Sequence, residues 1–451
     1  MQSVIIRFTR VDRLAIVLLL LLLVQSAAFG QTAGTSLSAQ ASLVTELDVN
    51  GLKVIVKRRP GSATVAAGLF IRGGAMNATT QNAGLEGFML STATEGTVKF
   101  PREVLRREIA RTGGNISAGS NYDFGVLALA STLEDFDRSW EIFTDVAMNP
   151  AFAPNDVELT REKILTSLRS AEDDPDGFLQ VLINRTLNAK TSYENDPNGT
   201  IENISRFKAL DLRDYHKKTM ETSRLMLVIV GDLDAAVLKN KIAATLGKLP
   251  RGAYKEPVVK GFDFSKPTVD VTARDLPTNY IQGVFDAPSI KDPDFYAMRV
   301  ATTLLRERVF EEVRTKRNLS YAPNADMGTL GINSGNIYVT AVDANQAVSL
   351  MLAEINGLKT EPVTERDISG VAGQFLTTYF IGQETNAAQA AELARYELVG
   401  GGWRNAFEFI NRVKQVKPAD VQRVSQKYMK NLRFIVLGKP AAIDRNIFLQ
   451  K

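Results

Sequence analysis

Gly84 to Thr97, GLEGFMLSTATEGT, is the stretch that decides how this chain is read. Leu85, Phe88, Met89 and Thr92 recur at the three- and four-residue spacing that lines one face of a helix, so a short helix with a buried face is expected. Gly87 and Ser91 stand four residues apart, the spacing at which two side chains project from a common face, with Leu90 between them. None of these three residues carries an imidazole, thiolate or carboxylate, so that face offers no strong metal donor.

The composition sets the frame. A chain of 451 residues exceeds one ordinary core and fits two domains of about 200 residues each. With 45% hydrophobic and 23% charged residues it is globular rather than disordered or fibrous. Residues 1–30 read as a secretory signal peptide: Arg7, Arg10 and Arg13, then the apolar run Leu14 to Val24, then Ala28 and Gly30 ahead of Gln31. The run is too short to span a bilayer comfortably, so cleavage is expected, with an uncleaved membrane anchor as the alternative. Without that segment the chain carries 51 basic and 49 acidic side chains, which gives no footprint for nucleic acid. The absence of cysteine excludes disulfides and a lipid-modified thiol.

His216 is the single histidine. One imidazole and no thiol argue against a self-sufficient catalytic zinc site and against Ser-His-Asp or Cys-His chemistry. Its setting, DLRDYHKKTM, is polar and lysine-flanked, and solvent exposure is expected there.

Along the chain, strand-like LKVIVKR (Leu52 to Arg58) and ATVAAGLFIRGG precede the 84–97 helix. A helix around Arg102 to Arg111, an extended pair in NISAGSNYDFGVLALAS, and helical stretches from Leu133 to Met148 and Asp156 to Glu172 follow. Asp174-Pro175-Asp176-Gly177 punctuates the last of these, and a polar, Asn-rich region to about Asn203 leads to a helix at 211–221 and a strand at 224–230. LPRGAYKEPVVKGFDFSKP has no clear period and reads as a linker. Beyond it the pattern repeats. DLRDYHKKTMETSRLMLVIVG, ending at Gly231, parallels ADVQRVSQKYMKNLRFIVLG, ending at Gly438. Strand Thr278 to Pro288 parallels Ala63 to Gly73, and the helix from Asp294 parallels 84–97. A period of roughly 200 residues indicates duplicated domains. The division expected is 1–30 signal, 42–250 first domain, 251–266 linker and 267–451 second domain, in an α+β class with sheets packed by helices.

Gly84, Leu85, Phe88, Gly96 and Thr97 match the G-L-A-H-F-L-E-H-M-L-x-x-G-T segment of the pitrilysin, insulinase and mitochondrial processing peptidase family, which this chain resembles. The resemblance spans nearly all of the chain after the signal. It includes GGNISAGSNYDFGVLAL, the MNPAF phrase and LTREKILTSLRSAEDDP. It implies two homologous α/β-sandwich domains forming half of a clamshell. In that family two histidines and a general-base glutamate lie on one helix, and a third ligand, a glutamate, lies further on. Here the histidine positions are Gly87 and Ser91, the base position is Leu90, and the third-ligand positions are Thr166 and Ser167.

FEEVRTKRNLSYA (Phe310 to Ala322) resembles a second family motif, F-x-E-x-R-E-K-R-G-L-A-Y, whose arginine and tyrosine contact the substrate backbone and the reacting carbonyl. The matching residues are Arg314 and Tyr321; read without the resemblance, they are a charged helix end, paired with Glu311 or Glu312, and a strand residue. The glycine-rich loop that precedes this motif in the family is replaced by TTLLRER, a continuous helical pattern. The resemblance therefore implies a non-catalytic subunit of a periplasmic heterodimeric zinc endopeptidase, acting on unfolded peptides with zinc held by a paralogous partner. Two alternatives stay open: a homodimeric peptide-binding scaffold, and an enzyme using Glu86 or Glu95 as improvised ligands.

Overall fold

The computed structural model describes residues 37–450, so the expected signal peptide lies outside the described residues. A short helix, Leu37–Ala41, belongs to a separate N-terminal unit. From Leu43 onward the chain forms one unit built on two sheets.

The first sheet uses β1 (Val44–Val49), β2 (Leu52–Arg58), β3 (Thr64–Arg72), β4 (Asn115–Ser120), β5 (Phe124–Thr132) and β6 (Leu225–Gly231) in the order β1-β2-β6-β3-β5-β4. Only β2 and β6 run parallel. Its helices are α1 (Leu85–Ala93), α2 (Arg102–Thr112), α3 (Phe136–Met148), α4 (Pro154–Asp173), α5 (Pro175–Leu187), α6 (Ile201–Arg206), α7 (Ala209–Thr219) and α8 (Ala235–Ala243). The second sheet uses β7 (Thr268–Ala273), β8 (Asn279–Asp286), β9 (Asn324–Met327), β10 (Ser334–Ala341) and β11 (Arg433–Gly438) in the order β7-β11-β8-β10-β9, with only β7 and β11 parallel. Around it lie α9 (Phe295–Val309), α10 (Ala344–Thr360), α11 (Glu365–Gly382), α12 (Asn386–Val399), α13 (Phe409–Lys414), α14 (Pro418–Tyr428) and α15 (Arg445–Phe448). Without β1, the two sheets have the same strand order and directions. The α+β class and the duplication expected from the repeated helix-strand phrases are present as topology.

Two elements differ from the sequence reading. β1 is half polar and only its Val49 is buried, so it lacks a strand's alternation. The segment from 175 to 187 is the helix α5, not an irregular region. Asp174 caps it by accepting the Gly177 N–H at 2.7 Å, and Pro175 occupies its first turn. The punctuation that ends α4 thus starts α5 immediately. A Cβ on Gly177 would lie 2.7 Å from the Ala171 carbonyl oxygen, so the tight turn needs glycine there.

α5 does not cover its own sheet. Leu179, Ile183 and Leu187, one face at four-residue spacing, pack with Val284, Ile435 and Leu437 of the second sheet. α12 returns the arrangement: it lies across β3 and β6 and buries Ala390, Leu393 and Ala394. Polar contacts fix both crossings. Asn386 donates to the Thr64 carbonyl (2.6 Å), Arg59 to the Glu384 carbonyl (2.8 Å), Arg433 to the Thr186 carbonyl (2.8 Å), and Gln180 to Gln282 (3.1 Å).

α1 is tied to the first sheet by a buried ionic group. Glu86 pairs with Arg224 at 3.2 Å and accepts from the Tyr215 hydroxyl (3.0 Å) and Ser120 Oγ (3.3 Å). Gly125 makes the room, since a Cβ there would lie 2.6 Å from Glu86 Oε1. The ring of Tyr254 lies beneath the Arg224 guanidinium at 5.2 Å. Burial lifts the Glu86 carboxyl above its ordinary value, with Arg224, Tyr215 and Ser120 opposing.

Two outcomes are expected. Leu179→Ala should lower the unfolding free energy by about 3 kcal/mol in a single denaturant transition, because α5 is shared by both halves; two separated transitions would contradict the shared core. For Glu86 the folded carboxyl is raised, so its contribution to stability is fully present below the unfolded pKa and is lost as pH rises through the folded value. The stability of wild type minus that of Glu86→Gln should therefore fall as pH rises above about 4, and a rising difference in the same urea series would refute this account.

Candidate functional site

α1 begins at Gly84, whose backbone is left-handed (φ 86°) and so close to Gly199 that a Cβ would lie 2.6 Å from its Cα. From there Leu85, Phe88, Met89 and Leu90 enter the core of the first half, with Thr92 buried beside them. Leu90, which the resemblance puts at the general-base position, is fully buried and holds the helix down. Gly87 and Ser91 are half-buried on the opposite side. A Cβ on Gly87 would lie 3.3 Å from the Pro197 carbonyl oxygen, so the 195–199 loop crowds the place of a ligand side chain.

α4 packs on α1, with the Arg161 guanidinium 5.3 Å from the Phe88 ring. Thr166 and Ser167 lie on this helix, both exposed. The two helices that the resemblance assigns to a zinc site thus pack together, and the side chains of Gly87, Leu90, Ser91 and Ser167 do not fit the ion. Among the described residues no group of three or more His, Cys, Asp or Glu side chains could hold a metal.

The two carboxylates considered as improvised ligands have other partners. Glu86 is engaged by Arg224, Tyr215 and Ser120 as described above. Glu95 pairs with Lys163 (2.7 Å), Arg102 (3.4 Å) and Arg106 (3.5 Å). His216 is not the exposed residue expected from its lysine neighbours. It sits on the inner side of α7, donates from Nε2 to the Ala147 carbonyl at 2.8 Å, and meets the Phe152 ring edge-on at 5.8 Å. Burial pushes its pKa down. Lys217 and Lys218 are exposed on the other side of the helix, so adjacency in sequence is no guide to the imidazole's surroundings.

In the second half α9 runs unbroken through TTLLRER, as its pattern predicts, and ends in a π-helical turn, Phe310–Thr315. This wider turn is rare and changes where the side chains emerge. The chain leaves it through Asn318 in the left-handed region (φ 50°), with the Leu319 N–H bonded to the Val313 carbonyl at 2.9 Å. The structure brings Arg314 and Tyr321 together: the guanidinium lies 4.7 Å from the ring centroid and donates to Asn318 Oδ1 at 2.6 Å. Neither plain alternative describes them. Glu312 is taken by Lys316 and Arg317, and Tyr321 is 80% exposed in a loop, three residues before β9.

Comparison with known proteins agrees with this fold. The insulinase (peptidase family M16) model matches residues 53–200, and the peptidase M16 inactive domain model matches residues 206–375. The chain is 25% identical over 431 residues to the mitochondrial-processing peptidase subunit beta of Blastocladiella emersonii, covering 90% of each. The peptidase M16 inactive domain from Pseudomonas fluorescens shares the fold with a TM-score of 0.79 at 15% identity, over 88% of this chain and 98% of that one. The periplasmic protease PqqL from Escherichia coli does so with a TM-score of 0.74 at 16% identity, over 91% of this chain and 50% of that one. With its duplicated sheets and paired family matches, the chain belongs to the insulinase (M16) peptidase family.

Proposed function

We propose that this chain is a non-catalytic subunit of a heterodimeric zinc endopeptidase of the periplasm, and that Arg314 and Tyr321 act on peptide held at a paralogous partner's zinc. The observation that carries this is the pairing of opposites in one molecule. The helix positions for metal hold Gly87, Leu90 and Ser91, while a half-buried guanidinium and an exposed phenol stand stacked at the π turn. A guanidinium is a permanent charge with several donors, suited to peptide carbonyls, and a phenol can donate to a developing oxyanion. Bond cleavage would be the partner's chemistry; this chain would bind and orient. Among the described residues β4 and β9 each have one edge with no strand partner, where an extended peptide can add through its backbone. The fold of this chain also covers 50% of PqqL, which supports a second polypeptide of similar size. No helix among the described residues is long and apolar enough to cross a membrane.

The purified chain alone should contain no stoichiometric zinc and hydrolyse no peptide. Mixed with a relative that carries H-x-x-E-H, it should give turnover. Zinc held tightly by the isolated chain, with chelator-sensitive hydrolysis, would sink the proposal. Within the pair, Arg314→Ala and Tyr321→Phe should each lower kcat about 100-fold at unchanged dimer affinity, the size of effect that follows loss of one transition-state donor. Unchanged turnover with retained peptide binding would point to the scaffold reading instead.

A further inference from the structure

A cavity of about 740 Å³ opens between the end of α9 and β9, beside the Arg314–Tyr321 stack. Arg306, Phe310, Tyr321, Asn324 and Tyr338 are among the residues that line it. Two of its rings are unusually bare for their size, Phe310 at 47% and Tyr321 at 80% exposure. The Tyr338 hydroxyl is occupied by Asp176, so that residue offers its ring. Asn324 lies directly opposite Tyr338 in the β9–β10 ladder and is also the first residue of the unpaired β9 edge. The cavity and the free edge therefore adjoin.

Its charge is equally specific. Among the described residues no hydrogen bond or ion pair engages the half-buried Arg306 side chain. The one carboxylate on the wall, Glu307, also borders the adjoining cavity, whose lining is mixed: Arg308 and Lys316 stand there with Glu311, Glu312, Glu354 and Asp367. Arg306 comes from TTLLRER, so the cation stands on α9, where the family pattern has a glycine-rich loop.

Resting on the peptide-holding reading above, we infer that this pocket selects an acidic residue of the bound peptide. The guanidinium of Arg306 pairs with an Asp or Glu carboxylate, while Phe310 and Tyr321 pack against the methylenes that carry it. The pocket so assigned sets specificity; the stacked Arg314 handles the peptide backbone.

The test uses the full chain and fluorescent, extended, otherwise neutral peptides in which one glutamate is walked along the sequence, with glutamine and lysine versions of each. Anisotropy should show one position where Glu binds about fivefold tighter than Gln and where Lys binds more weakly than either. Arg306→Gln should erase that preference, and Arg308→Gln, which alters the adjoining cavity, should preserve it. Equal affinity of Glu and Gln peptides at every position, or a preference that survives Arg306→Gln, would overturn the acidic assignment alone. Failure of every peptide to bind would overturn the peptide-holding reading and this one with it.

Discussion

Each sheet of this protein is covered on one face by helices of its own half and on the other by a helix borrowed from the other half, and the rest of the structure depends on that exchange. A sheet buried on both faces needs strands that are apolar at every position. β6 meets the requirement: Leu225, Leu227 and Ile229 enter the first half's core, while Met226, Val228 and Val230 turn to the opposite face, where α12 lies. β11 does the same with Ile435 and Leu437 under α5 and Phe434 turned toward α15. Separating the halves would bare both surfaces at once. The relation between α1 and the π turn is therefore fixed by packing, to which Phe262 and Phe264 of the 251–266 segment also contribute.

That constraint explains how α1 keeps its place with no metal-ligating side chain at Gly87, Leu90 or Ser91. α1 is held by Leu85, Phe88, Met89 and Leu90, whose burial supplies the free energy, and by the Glu86–Arg224 pair. The positions that would touch metal lie on its other side and contribute little to that core. A glycine and a serine there cost the fold nothing visible, and Gly87 lets the 195–199 loop close against the helix. A buried ion pair is weak evidence for stability in itself, because desolvation offsets the attraction; losing one member, however, would strand the other charge in the core. Glu86 and Arg224 are thus bound to each other's presence and unavailable for other chemistry.

Much of this is legible in the sequence, for identifiable reasons. The 84–97 helix, the strands that follow the linker, and the Lys-x-Met phrases ending at Gly231 and Gly438 have strong local signals, and the two sheets confirm the duplication. α5 escapes notice because its start signal, Asp174-Pro175, coincides with a stop signal for α4; the Leu179, Ile183, Leu187 spacing is the clue available. β1 is hidden by its polar residues. His216 is misplaced because neighbours in sequence occupy different faces of a helix. The cavity at Arg306 is not legible at all, since it is assembled from α9, the 321–324 loop and β10. Its one trace in the sequence is the departure TTLLRER.

The two candidate sites differ in what the fold explains about them. Every residue that matches the family pattern in α1 is accounted for by packing, turn geometry or a short helix's ends, so that helix would be expected in a protein with no function at all. Arg314 and Tyr321 are not accounted for in that way. A guanidinium stacked on an exposed ring contributes at most about 1 kcal/mol, and Tyr321 leaves most of its surface to solvent. The π turn that presents them gives up regular helical hydrogen bonding, and Asn318 adopts a left-handed backbone to leave it. A segment that gives up helical regularity to hold a cation against an exposed phenol, beside an open aromatic pocket, has a cost that packing does not offset. The physical asymmetry between a helix explained by its core and a turn unexplained by it is the strongest reason to look for function at the second site.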